Sequence, residues 1–212
     1  MVQPTLPKRI DEPAHHVFPE DSPVGRAIAR AADAVAAALS ELSGIQVHAS
    51  NPEANLLPLA DLPNIGGSPG DTVVTLFLTY DGTDSGQIIL IYNLDQARAL
   101  VDQMLWNPPG TTFDFDEMEL SALAESANIL GSHFLTAIAN ISGAELDISI
   151  PEPLVDLRGA TLSIPAAAAA SSGDSFLSIR SDFESDGASI LGTTLLVIPD
   201  RGVESVMMRS LT

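Results

Sequence analysis

Two side chains three residues apart, Glu125 and Asn128, carry the most specific chemistry in the chain. A carboxamide presents a donor and an acceptor together and does not titrate, so it can hold one water in a fixed direction. A positioned water is what in-line attack on a phosphoryl group requires, because phosphoryl transfer is catalysed mostly by alignment and charge. A carboxylate three positions away on a helix is a surface neighbour. It can pair with a cation on a partner and so fix the angle of approach. Plain solvation also produces polar stripes on helices, and the pair by itself does not separate the two readings.

The spacing predicts a helix over Asp116–Ser142 to carry this pair. Asp114, Asp116 and Glu117 lie at its start, where the helix dipole favours negative charge. Gly143 follows as a C-cap. At 100° per residue from Ser121, the residues Leu123, Ala127, Leu130, Phe134, Ala137, Ile138 and Ile141 share one face, between about 160° and 260°. Ser121, Glu125, Asn128 and Ser132 fall within about 60° of one another on the opposite side.

That helix has a counterpart 99 residues earlier. Ser22-Pro-Val-Gly-Arg26-Ala-Ile-Ala29, Ala38-Leu-Ser-Glu-Leu-Ser-Gly44 and Asn51-Pro52 correspond to Ser121-Ala-Leu-Ala-Glu125-Ser-Ala-Asn128, Ala137-Ile-Ala-Asn-Ile-Ser-Gly143 and Ile150-Pro151, without a gap. Such self-similarity marks repeated architecture. Alternating apolar runs predict a strand pair in each copy: Thr72–Tyr80 with Gly86–Tyr92, turned at Asp81-Gly82, and Asp174–Asp182 with Ser189–Ile198, turned at Ser185-Asp186-Gly187. Shorter helices are expected over Asp95–Leu105 and Gly202–Leu211.

Each half thus reads helix, strand, hairpin, short helix. The expectation is an α/β (α+β) architecture with a pseudo-two-fold internal repeat, a shared β-sheet and the long helices packed on one face. Met1–Glu20 is expected to be a flexible tail and 21–212 a single domain, with repeat one at 22–110 and repeat two at 114–212. Pro63–Gly70 is expected to be a mobile connection. Ala166–Ala170, between Pro165 and Gly173, is expected to be a loop or a single turn.

The pattern Ser121-x3-Glu125-x2-Asn128-x22-Pro151 resembles the signature of the CheC/CheX/FliY family of chemotaxis phosphatases. The phrase from Ser121 to Ile138 is similar to the family's active helix over nearly its whole length, and the two-fold repeat matches the CheC plan. The resemblance covers about residues 20–212. It implies a phosphatase that hydrolyses the aspartyl phosphate of the response regulator CheY. Asn128 would orient the attacking water, and Glu125 would bridge to the lysine beside the regulator's phospho-aspartate. Mg2+ would belong to the regulator, with no cofactor bound by this chain. Ser121 and Pro151 would support the site structurally.

The first copy departs from that pattern. Arg26 stands where Glu is expected and Ala29 where Asn is expected, between Ser22 and Pro52. Alanine cannot hold a water, and arginine would repel the regulator's lysine. The core face Val24, Ile28, Ala31, Val35, Ala38, Leu39 and Leu42 is kept, so the first copy reads as scaffold with a degenerate site. One active site per chain is expected. Arg26 and Arg30 read as ordinary surface arginines, with an acquired binding role as the alternative.

Composition excludes several other classes. The net charge is −19, from 28 acidic and 9 basic residues, with Lys8 the sole lysine. Such a chain repels phosphates, so neither nucleic acid nor an anionic membrane is an expected partner. Surface carboxylates of this density fit a high-salt cytoplasm, and a high-GC genome that replaces Lys with Arg explains them equally. There is no cysteine, so disulfides and thiolate chemistry are excluded. No apolar run reaches the roughly 18 residues of a membrane span, and a cytoplasmic location is expected.

His15-His16, His48 and His133 lack partners at metal-ligand spacing. Gly66-Gly67 reads as a loop, Trp106 is expected to pack over the short helix before it, and Asp81, Asp84, Asp182 and Asp186 fall at hairpin turns. Two competing readings remain: a non-catalytic switch component like the FliY or FliM middle domain, and an adaptor for CheY or the deamidase CheD. The chain ends at Thr212 soon after the second repeat, an ending expected of a stand-alone enzyme.

Overall fold

A computed structural model of the chain describes residues 16–169, 175–185 and 188–200. The first long helix, α1 (Pro23–Ser43), opens on Ser22, whose hydroxyl accepts from the Gly25 amide at 3.0 Å, and closes on Gly44 at φ 70°. The second, α3 (Glu117–Ser142), opens on Asp116, whose carboxylate accepts from the Met118 amide at 2.9 Å. Glu119 reaches back to the Asp116 amide and completes a capping box. Gly143 ends this helix at φ 66°, as the sequence predicted. Between them lies α2 (Leu94–Met104), within one residue of its predicted bounds.

The strands are β1 (His16–Phe18), β2 (His48–Pro58), β3 (Thr72–Gly82), β4 (Gly86–Asn93), β5 (Leu146–Ile148), β6 (Glu152–Leu157), β7 (Ser175–Ser185) and β8 (Ala188–Pro199). They form one antiparallel sheet in the order β1-β2-β7-β8-β4-β3-β5, with β6 also on β3. The architecture is therefore α+β. Each copy's single strand leaves its own hairpin and pairs with the other's: β2 with β7, and β6 with β3. The hairpins meet at β4 and β8, where Leu90 faces Leu195.

The symmetry extends to the register. Glu53 sits opposite Arg180, and its counterpart Glu152 sits opposite Phe77. Asn51-Pro52 shifts the register of β2, and the equivalent Ile150-Pro151 separates β5 from β6. Proline cannot donate to a strand ladder, so the same irregularity falls at the same place twice.

Alternation along the strands gives two cores. Val74, Leu76, Leu78, Ile88, Leu90, Tyr92, Ile179 and Leu195 face α1, α2 and α3, together with Ile28, Val35, Leu123, Ala127, Leu130 and Phe134. The helix faces are those the periodicity predicts, except that Leu42 is 36% exposed at the open end of α1.

The opposite sheet face carries a second core of Val73, Ile89, Ile91, Phe176, Leu196 and Ile198, packed with Leu62 and Leu162. It is covered by a 3-10 helix (Leu59–Asn64) and by α4 (Arg158–Ala169). The long helices share the first face, as expected, and this shorter cover lies on the second. It corrects the two loops. The segment expected as a mobile connection is tied down where the buried Arg158 guanidinium donates to the Ile65 carbonyl at 2.7 Å and to Asn93 Oδ1 at 2.8 Å. Ala166–Ala169 continue the helix past Pro165, because Leu162 buries completely against the sheet and outweighs one missing backbone bond.

Residues 16–18 of the expected tail pair with β2 as β1. The rest of that tail, the short helix expected over Gly202–Leu211, and Asp186-Gly187 of the second turn lie outside the described residues. Among the described residues no helix is long and apolar enough to cross a membrane.

Candidate active site

The predicted pair lies on the solvent side of α3, two to three turns into the helix. Leu123 and Ala127 are fully buried beneath it. Ser121 and Glu125 are exposed and Asn128 is half-buried. The i, i+3 spacing sets Glu125 and Asn128 side by side. Neither side chain makes a hydrogen bond among the described residues, so the carboxylate and both ends of the carboxamide are available to a partner. Glu125 can take a cation, and Asn128 can orient a water.

Between them in sequence, Ser126 points the other way. Its hydroxyl is fully buried, donates to the Leu123 carbonyl at 2.7 Å and lies 3.2 Å from the Tyr92 hydroxyl on β4. Burial raises the Tyr92 phenol above its ordinary range, partly offset by this bond, so it stays a neutral partner. The contact joins helix to sheet at the residue next to Glu125. Sequence reasoning did not single out Ser126. Its signal was a hydroxyl at a position that the first copy fills with Ala27.

Asp102 was also missed. Its carboxylate, 3% exposed, accepts from the Gly110, Thr111 and Thr112 amides at 2.6, 3.2 and 3.0 Å, and from the Thr112 hydroxyl at 2.6 Å. Burial disfavours its charge, but these bonds outweigh burial and hold the carboxyl below its ordinary range. The result clamps the connection between α2 and α3 and so sets where the site helix begins.

Trp106 corrects its expectation. It adopts φ 58°, is 73% exposed, and lies against Gly44 at the end of α1 rather than over α2. A Cβ on Gly44 would come within 2.6 Å of the indole, and the φ of 70° at this cap favours glycine. Pro151 is buried at the break between β5 and β6. Ser121 sits in the second turn of α3, whereas its counterpart Ser22 is the N-cap of α1.

In the first copy, Arg26 is exposed and donates to the Asp21 carbonyl, and Ala29 is half-buried beside it. Arg30 is exposed too. The structure thus brings Ser121, Glu125 and Asn128 together on one face of α3 and Ser22, Arg26 and Ala29 on the matching face of α1. His16 and His48 are exposed, and no group of three His, Asp or Glu side chains gathers for a metal among the described residues.

The CheC-like family profile matches residues 118–152, from the first turn of α3 to the first residue of β6. The CheY-P phosphatase CheC of Bacillus subtilis (strain 168) is 32% identical over 130 residues, 60% of this chain and 62% of that protein. The CheC1 protein of Halobacterium salinarum is 26% identical over 121 residues, 57% of this chain and 61% of the relative. The chain thus spans about three fifths of the length of these curated relatives. Thermotoga maritima FliY shares the fold with a TM-score of 0.69 at 16% identity, over 89% of this chain and 93% of that one. The FliM middle domain of Vibrio alginolyticus does so with a TM-score of 0.58 at 15% identity, over 88% and 96%. The chain is thus similar to the CheC-like family over its site helix, to two CheC proteins over about three fifths of its length, and to FliY and the FliM middle domain in fold.

Proposed function

We propose that this protein hydrolyses the aspartyl phosphate of a CheY-type response regulator. The observation that carries the reading is the free Glu125–Asn128 pair on the exposed face of α3, inside the segment that matches the CheC-like family. Asn128 accepts one hydrogen of a water and directs its oxygen at phosphorus. The P–O bond to the regulator's aspartate breaks as the new P–O bond forms, leaving aspartate and inorganic phosphate. Glu125 pairs with the regulator's lysine and sets the approach. The Mg2+ that neutralises the phosphoryl oxygens sits on the regulator. The relative from Bacillus subtilis is named for this activity, which supports the reading.

The test is phosphate release from an aspartyl-phosphorylated CheY-type regulator. Wild-type chain should accelerate release and Asn128→Ala should not. Equal rates for the two would overturn the assignment. The likeness to FliY and to the FliM middle domain favours one second reading, a switch-type component that binds a regulator without turnover. That reading expects binding of the phosphorylated regulator and no acceleration by the wild-type chain.

A further inference from the structure

Beside Glu125 runs a trough of about 920 Å3, between the end of α2 and the first turns of α3. Met104, Leu105, Met118 and Ala122 make its apolar wall. Asp116, Glu117, Ser121 and Glu125 make its polar edge. Met118 is 65% exposed, and the connection leading into α3 carries two further exposed aromatics, Trp106 at 73% and Phe113 at 71%. Apolar surface left open around a functional group is the mark of an interaction site.

The first turn of α3, which lines the trough, has no helical counterpart among the described residues of the first copy. The helix that carries Glu125 begins at Glu117, one turn ahead of Ser121, and that extra turn supplies Met118 and Glu117. In the first copy the equivalent residues, Phe18–Asp21, precede the Ser22 cap in strand and turn, and α1 starts only at Pro23. The repeat frame therefore does not require the extra turn. It occurs only where the Glu/Asn pair occurs. The trough is also preformed, because the Asp102 clamp on Gly110, Thr111 and Thr112 fixes the chain between its two walls. A preformed surface loses little ordering entropy on binding.

We propose that this trough seats an apolar side chain of the phosphorylated regulator, flanked by cationic groups that meet Asp116, Glu117 and Glu125. The inference rests on the phosphatase reading. Glu125 belongs both to the reacting pair and to the trough, so a protein whose phosphoryl group reaches Asn128 must cover the trough. The carboxylates along the edge select a cationic surround. The trough supplies affinity and Asn128 supplies turnover.

The experiment separates these roles with Met118→Glu and Met118→Leu, both at an exposed position in the first helical turn where folding is undisturbed. In steady-state phosphate release, Met118→Glu should raise KM for the phosphorylated regulator about tenfold with kcat within twofold, because uniform binding is lost and alignment is kept. Met118→Leu should restore wild-type KM. An unchanged KM in Met118→Glu, or the same rise in Met118→Leu, would overturn the proposal. The same substitutions in an Asn128→Ala chain, titrated with phosphorylated regulator, should change affinity by the same factor without any turnover. If Asn128→Ala retains full activity, the phosphatase reading fails while the titration still decides the trough. If Asn128→Ala is inactive and Met118→Glu alters neither KM nor affinity, the trough alone fails.

Discussion

On α1, Arg26 and Ala29 stand where Glu125 and Asn128 stand on α3, and the surroundings differ in step. The first helix starts at Pro23 beneath the turn Pro19–Asp21, and a Cβ on Gly25 would come within 2.2 Å of the Pro19 carbonyl. Arg26 is occupied with the Asp21 carbonyl. The second helix starts a turn earlier, keeps its polar face open and lies beside an apolar trough. Beneath it the Tyr92–Ser126 contact links helix to sheet, and Ala27 replaces that hydroxyl in the first copy. Registers, prolines and cap glycines are common to both. The frame is thus shared between copies, while the face that would meet a partner is built in one copy and filled in the other.

The largest expected effect breaks the comparison at its centre. Asn128→Ala makes the second copy chemically equivalent to the first at this position, and phosphate release should fall about 100-fold, the usual cost of losing one aligned polar group in the transition state. Circular dichroism should be unchanged, because the side chain makes no internal hydrogen bond among the described residues. Arg26→Ala should leave turnover unaltered, and a loss there would show that the first copy takes part.

Next in size is the clamp. Asp102→Ala strands the Gly110, Thr111 and Thr112 donors and should destabilise the fold by about 2–3 kcal/mol, read from denaturant midpoints. Because the folded carboxyl is held below its ordinary value of 3.8, its contribution is fully present at neutral pH. It is lost as pH falls below that value through the folded one. Wild type should therefore lose stability in that acid window more steeply than Asp102→Asn. Parallel acid profiles would remove the carboxylate from the stability of the connection.

Much of the frame was legible in the chain. The 3.6-residue period of Leu123, Ala127, Leu130 and Phe134, the capping residues and the Asp-Gly turn are local signals, and α3, α2 and the β3–β4 hairpin follow them closely. The pair Glu125–Asn128 was legible because its spacing is helical and its helix was. What stayed hidden depends on contacts distant in sequence. Pro165 and the alanine run carry a loop signal, and only Leu162 buried on a sheet made from both copies turns them into α4. Arg158 reads as surface charge until it reaches Ile65, 93 residues away. Ser126 and Asp102 look ordinary until Tyr92 and Thr112 come within reach of them.

A smaller effect tests that link. Tyr92→Phe removes one buried hydrogen bond while Ser126 keeps its bond to the Leu123 carbonyl, so stability should fall by about 1 kcal/mol. If the contact also holds the rotation of α3, kcat should drop severalfold with KM little changed. A stability loss with unaltered kcat would make the contact structural only.

The smallest expected effect is the most informative about the two copies. Installing Arg26→Glu and Ala29→Asn in an Asn128→Ala chain rebuilds the pair on α1 with the right spacing. If the pair alone sufficed, activity would return toward the wild-type level. The first copy lacks the extra helical turn, and the turn Pro19–Asp21 lies where Met118 and its neighbours stand in the second. Without a seat for the regulator, the grafted carboxamide could orient water but would not be held against phosphorus, and alignment is where most of the barrier reduction arises. The grafted chain should stay within about twofold of its inactive parent. Recovery beyond that in a phosphate-release assay would show that two side chains on a helix carry the whole function, and that the divergence around them is incidental.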